Sequence, residues 1–259
     1  MVLEVERRES VAIVTLSAEA ARNAFNSDSM SEISKTLNNL MDDPEIRGIV
    51  LTGTGRFFCA GADIEEFQRS IEDGRIGPLV DDLTSVLHPL QVRMRTDSTI
   101  LIAAVNGAAA GGGLGLALAC DARVAVADAK LAAAFFKLGL SPDGGSTWLL
   151  PRLVGNQMTR RFFFNDETWN GEEALEKGAV DEIVSQDELI NRAVELASDW
   201  GQWSKISRSG TKQLLDASTS TFFQTQLEFE QALIIAASQT EDFAEGVNAF
   251  LEKREPKFD

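Results

Sequence analysis

Cysteine is scarce: Cys59 and Cys120 are the only two in 259 residues. Two thiols cannot build a disulfide framework, and each sits among apolar or small residues, as a buried free thiol does. Basic residues are also few, 24 Lys and Arg against 40 Asp and Glu, for a formal net charge of -16. That balance argues against non-specific nucleic-acid binding, which rests on Lys and Arg neutralising phosphates. It leaves room for an anionic small ligand, since a few basic side chains can gather at one mouth; otherwise the charge keeps the surface soluble. No apolar run approaches the roughly 20 residues of a membrane helix. No N-terminal stretch joins a basic start to an apolar segment. A cytoplasmic, soluble protein with no membrane partner is expected. Histidine occurs once, as His88; just before Pro89, it reads as a structural or surface residue.

What is present is ordinary for a globular enzyme: 44% hydrophobic and 25% charged residues, with enough length for one large domain or a domain with an appendage. Leu3 to Glu6 and Val11 to Leu16 read as strands around a polar turn, Arg7 to Ser10. Asp28 is placed to cap a helix whose apolar stripe runs through Ile33, Leu37, Leu40 and Met41, ending before Pro44. Gly48 to Thr52 reads as a buried strand. Thr99 to Val105 is another, followed by Gly111-Gly112-Gly113 and a small-residue helix ending near Cys120. Ala122 to Ala127 continues the alternation, which predicts an α/β protein with helices packed on sheets. After Ser185 the segments 187–199, 203–216, 221–237 and 241–253 have helical spacing. The expected division is therefore a core over 1–195 and a helical C-terminal region over 196–259.

Two segments carry chemistry. Phe57-Phe58-Cys59-Ala60-Gly61-Ala62-Asp63-Ile64 follows a strand and precedes a helix expected over Ile64 to Ser70. Ala104-Val105-Asn106-Gly107-Ala108-Ala109-Ala110-Gly111-Gly112-Gly113-Leu114-Gly115 repeats that design. Small residues let a ligand approach the backbone, and N–H groups at a helix start lack internal partners. Such donors can receive an anion. Neither segment is a phosphate-binding P-loop or a clear dinucleotide fingerprint. Each alone is equally compatible with a tight turn or close helix packing.

Together, in order and spacing, the two resemble the crotonase (enoyl-CoA hydratase/isomerase) superfamily. Further matches lie at Arg22-Asn23-Ala24-Phe25-Asn26, Gly139 to Gly145, and Phe250-Leu251-Glu252-Lys253-Arg254. The resemblance spans nearly the whole chain. It implies a spiral of repeated ββα units followed by a helical trimerisation region, and a homotrimer or dimer of trimers. It implies a coenzyme A thioester as substrate, with no permanently bound cofactor and no metal. It assigns the N–H groups of Ala62 and Gly112 to an oxyanion hole for the thioester oxygen. Two such donors stabilise the charge of an enolate, each by roughly 3 kcal/mol. The same resemblance places Ala24 and Ala60 to Ala62, with Asp63 and Ile64, along the CoA moiety. It places Phe250 and Lys253, from a neighbouring subunit, at the adenosine end, and Arg22 near a phosphate. Asp63 is better explained as a helix cap, and without the motif match Lys253 and Arg254 would read as a solvated charge run.

The choice of acid or base departs from the hydratases. Where typical hydratases of the family carry two glutamates, this chain has Gly115 and Phe135, neither of which exchanges a proton. Asp143, in Leu140-Ser141-Pro142-Asp143-Gly144-Gly145, matches the acidic position of several isomerases of the family. The stretch from Ala134 to Arg152 is closest in motif to the ring-1,2-epoxyphenylacetyl-CoA isomerase-like members. An isomerase needs one base that removes a proton from one carbon and returns it at another; an Asp in an apolar pocket suits this, because desolvation favours its protonated form. Pro-Asp-Gly-Gly is also strong turn chemistry, with Asp143 a candidate cap. Phe135, Phe136 and Trp148 are candidates to line an acyl pocket or to pack in the core. The favoured expectation is an acyl-CoA isomerase using Asp143. A hydratase with Asp143 and an unrecognised second group remains open, as does a non-catalytic CoA-ester-binding homologue.

Overall fold

A computed structural model describes residues 2–18 and 21–258. The chain opens with a hairpin, β1 (Val2–Arg8) against β2 (Val11–Ser17). The turn between them is tighter than expected: Arg7 and Arg8 stay in the ladder opposite Ala12 and Val11. Then α1 (Ser27–Asp42) buries Ile33, Leu37, Leu40 and Met41, the stripe read from the sequence. Its cap is Asn26 and not Asp28: Asn26 Oδ1 accepts from Ser29 N at 2.9 Å, and Ser29 Oγ accepts from Asn26 N. Asp28 lies within the first turn, where its charge favours the helix N-terminus.

From there each turn of the chain adds one strand to each of two sheets. Strand β3 (Gly48–Gly53) joins the large sheet and β4 (Phe57–Cys59) the small one, followed by α2 (Ile64–Glu72) and α3 (Ile76–Thr96). The pattern repeats with β5 (Ile100–Val105), β6 (Ala108–Ala110) and α4 (Gly112–Ala119). It repeats again with β7 (Ala122–Val126) and β8 (Lys130–Ala132), then α5 (Ser146–Val154) and α6 (Asn156–Phe164). Last come β9 (Thr168–Asn170), α7 (Gly171–Glu176) and β10 (Glu182–Val184). The large sheet has the order β1-β2-β3-β5-β7-β10, and the small one β4-β6-β8-β9. This is the ββα spiral of the crotonase fold. The central strands are parallel, and β5 is wholly apolar, as suits a strand covered on both faces.

The C-terminal helices are α8 (Leu189–Gly201), α9 (Lys205–Ser218), α10 (Phe223–Ala237) and α11 (Glu241–Glu252), each within two residues of its expected start. Residues 195 and 196, where the division was expected, fall inside α8, which packs on β3 and β5. Helix α9 is fastened to the core by ionic contacts. Lys212 Nζ lies 2.7 Å from Asp121 Oδ2 and also donates to the Thr99 carbonyl, while Arg95 grips Asp216. Helix α10 buries none of its residues. Among the described residues, no helix is long and apolar enough to cross a membrane.

Candidate active site

The two chemistry-bearing turns meet. Phe25 N donates to Gly61 O at 2.8 Å and Asp63 N to Phe25 O at 3.0 Å, forming a short parallel bridge centred on Ala62. That pattern turns the Ala62 N–H away from Phe25. Gly112 occupies the first position of α4, where no preceding turn supplies a carbonyl. Among the described residues neither N–H has a protein acceptor. Gly61 sits between them at φ 87°, and a Cβ on it would stand 3.1 Å from Gly112 N. Glycine there permits both the left-handed backbone and the close approach. Ala62 and Gly112 line the same cavity of about 320 Å³.

Two buried asparagines fix this corner. Asn23 Nδ2 and Asn106 Nδ2 both donate to the Phe57 carbonyl, at 2.6 and 3.2 Å. Asn23 also donates to Thr54 O, and Asn106 to Gly55 O while accepting from Gly53 N. The loop that leads into β4, and so to Ala62, is thereby held both from the turn before α1 and from the end of β5. Cys59 Sγ accepts from Gly61 N, and burial pushes its thiol up to about 12. Cys120 is likewise free and buried, its thiol also raised to about 12 by burial.

Asp143 also borders the cavity, in the loop between a 3-10 turn (Phe136–Leu138) and α5. Its side chain does not cap α5: Gly145 holds the cap position, and Ser146 Oγ donates to the Asp143 carbonyl instead. The expected dry setting is not what the chain provides. Asp143 is 41% exposed and its Oδ1 lies 2.8 Å from Nε2 of His88, itself 50% exposed. His88, expected as a structural or surface residue, is a surface residue bonded to Asp143; it shares the face of α3 that carries the cavity-lining Val80 and Thr84. Three residues further on, buried Gln91 donates through Nε2 to Gly144 O at 2.8 Å. That carbonyl lies over Gly115, where an added Cβ would come within 2.2 Å of it. A side chain at Gly115 has no room. Phe135 is buried and lines the cavity.

The other anticipated residues divide. Ala60 and Ile64 line the cavity. Asp63 caps α2, accepting from Glu65 N at 2.9 Å. Ala24 and Arg22 lie beside the Phe25 bridge, with Arg22 at φ 58° and its carbonyl accepting from Ala60 N. Phe250 and Lys253 are remote within the chain: Phe250 is 83% exposed on α11 and Lys253 ends that helix in the left-handed conformation. Phe136 and Trp148 do not line the cavity. Phe136 packs edge-on to Phe164, and Trp148 lies under the Arg152 guanidinium at 3.4 Å. The walls are instead Phe25, Phe67, Leu83, Leu87, Leu138 and Leu140. Asp143 is the one ionisable residue among the cavity-lining residues described.

A ββα spiral enclosing an apolar cavity with two unpaired N–H donors defines a family. Residues 6–259 match the enoyl-CoA hydratase/isomerase family, and the chain belongs to it. The chain is 35% identical over 253 residues to 1,2-epoxyphenylacetyl-CoA isomerase of Escherichia coli (strain K12), covering 96% of this chain and 95% of that protein. It is 34% identical over 256 residues to 2,3-dehydroadipyl-CoA hydratase of the same organism, covering 99% and 98%. The crystal structure of an enoyl-CoA hydratase from Polaromonas sp. JS666 superposes with a TM-score of 0.92 at 29% identity, over 99% of each chain. The family supports an enzyme of acyl-CoA metabolism, and its named members include both isomerases and hydratases.

Proposed function

We propose that the protein is an acyl-CoA isomerase, shifting a double bond or rearranging a ring epoxide through a thioester enolate. The Ala62 and Gly112 N–H groups receive the thioester oxygen, and Asp143 removes and returns the proton. The observation that carries this reading is the Gly144 carbonyl over Gly115. It closes one glutamate position of the two-carboxylate hydratase arrangement, and Phe135 occupies the other. The acyl group lies along the apolar wall of Phe25, Phe67, Leu83 and Phe135. Asp63, Ile64, Ala24 and Ala60 border the CoA chain, and Arg22 meets a phosphate. No resident cofactor is needed, because the thioester carbonyl itself accepts the charge. Two buried, unpaired thiols suit a reducing, cytoplasmic setting.

In the same reading Phe250 and Lys253 serve a neighbouring copy. Phe222, Phe223, Ile234 and Ile235 of the α10 region are exposed apolar side chains that contact with another copy would take out of water. A homotrimer or dimer of trimers covers them. Light scattering that returns a monomeric mass at micromolar concentration overturns this part.

A panel of enoyl- and epoxyacyl-CoA substrates tests the chemistry. Asp143→Asn is expected to lower isomer formation by roughly 10²–10⁴-fold. A variant as active as wild type removes Asp143 from the mechanism. His88 beside Asp143 favours one second reading, a hydratase in which that pair activates water. Rapid hydration of crotonyl-CoA, followed as loss of conjugated-thioester absorbance, would replace the isomerase reading with it.

A further inference from the structure

Helix α3 grips the Asp143 loop twice, and only one grip is needed to hold it. Gln91, buried, takes the Gly144 carbonyl, and Ser146 Oγ donates to the Asp143 carbonyl at 2.7 Å. The backbone is thus fixed without His88. The His88–Asp143 contact itself is half-exposed on both sides, and such pairs add little stability. What it does provide is a continuous path. One end is Asp143, which borders the cavity; the other is an imidazole open to solvent. Asp143 Oδ2 has no hydrogen-bond partner among the described residues, so one carboxylate oxygen is engaged by the ring and the other is available to the ligand.

We infer that His88 is the proton relay of Asp143, exchanging with water the hydrogen that Asp143 takes from substrate. This rests on the isomerase reading and adds a second participant to it. Asp143 removes the proton from carbon, leaving the enolate on the thioester. The carboxyl group turns about its Cβ–Cγ bond to bring the protonated oxygen to the bare Nε2 of the Nδ1–H tautomer. The proton crosses to Nε2 as the Nδ1 proton leaves the ring for water, and Asp143 returns to its carboxylate with Nε2–H donating to it. The hydrogen delivered to the second carbon then comes from water by the reverse path. No electrons are exchanged with any other group. The isomer therefore carries solvent hydrogen where a one-residue transfer would conserve the substrate's own. His88 thus acts through Asp143 and not on the substrate.

The test joins a spectroscopic and an isotopic measurement. Because the chain has one histidine, ¹⁵N-histidine labelling gives a single pair of ring-nitrogen signals. Asp143→Asn is expected to move the Nε2 signal; an unmoved signal means the pair does not exist and overturns the inference whatever the activity. In deuterated water, wild type is expected to place solvent deuterium in the isomer. His88→Gln keeps a donor for Asp143 but relays no proton. It is expected to form product within about tenfold of wild type while incorporating label roughly a hundredfold more slowly, the low end of what a positioned acid–base group supplies. His88→Ala gives a second, smaller side chain should Gln pack poorly. Product without deuterium in wild type, or label unchanged in both variants, overturns the relay and leaves the isomerase reading standing. No isomer from any substrate overturns the isomerase reading and the relay together.

Discussion

Gln91 and Gly144 are joined by a 2.8 Å hydrogen bond, the side-chain amide donating to the backbone carbonyl. The same carbonyl oxygen would stand 2.2 Å from a Cβ at Gly115. One oxygen atom thus anchors the loop that carries Asp143 and fills the space that a side chain at Gly115 would need.

Replacing Gln91 by Leu keeps the volume and removes the donor. The Gly144 carbonyl is then left without its partner in a buried setting, at a cost of about 1–3 kcal/mol. Denaturant unfolding checks the stability. Kinetics should show kcat falling more than KM changes, since the loop that holds Asp143 loosens while the apolar walls remain.

Gly115→Glu is not expected to create a hydratase. The new side chain meets backbone, and such overpacking costs typically 1–3 kcal/mol and displaces the loop. Thermal denaturation should show a lower Tm, with turnover of acyl-CoA substrate reduced and no crotonyl-CoA hydration gained. A stable variant that gains hydration would show that the loop yields.

Cys59 and Cys120 should resist thiol reagents at neutral pH until the protein unfolds, because burial holds both thiols at about 12 against an ordinary 9.0. The folded state keeps protons that the unfolded state loses above the ordinary value. Their contribution is therefore full below about pH 9 and is lost as pH rises towards 12. Urea midpoints measured across that window should decline, and more shallowly in the C59A/C120A double variant.

Lys212 and Asp121 are 8% and 9% exposed and 2.7 Å apart. Burial raises the Asp121 carboxyl, opposed chiefly by the charge of Lys212. Lys212→Met leaves that carboxylate buried and unpaired, a loss of about 3–5 kcal/mol. Adding Asp121→Leu should recover most of it. Equilibrium denaturation of the single and double variants distinguishes this from a simple packing defect.

The sequence disclosed those parts of the fold that local chemistry specifies. The run Ile100 to Val105 followed by three glycines spells a buried strand and a helix that others can approach closely, and both form there. The C-terminal helices were legible from their spacing alone. Helix α3 was not read: Arg75 supplies no side-chain cap and Pro89 sits inside the helix, which masks the helical spacing of Leu79, Leu83, Leu87, Leu90 and Met94. With α3 hidden, the i, i+4 alignment of Val80, Thr84 and His88 had no meaning. The partner of Asp143 lies 55 residues away, and no local pattern announces it. The Asn26 cap was missed for a simpler reason: Asp28 and Asn26 are both good caps, and only the Ser29 hydroxyl bonded back to Asn26 distinguishes them.

The Gly144 carbonyl has a consequence for how this scaffold changes its chemistry. A one-carboxylate and a two-carboxylate site are not neighbours in sequence space here, because the loop must retract before position 115 can hold anything. The step between them is an exchange of loops, made all at once or through intermediates that fold poorly. Libraries that vary residues 139–146 together with 91 and 115 would reach it; saturating single positions would not.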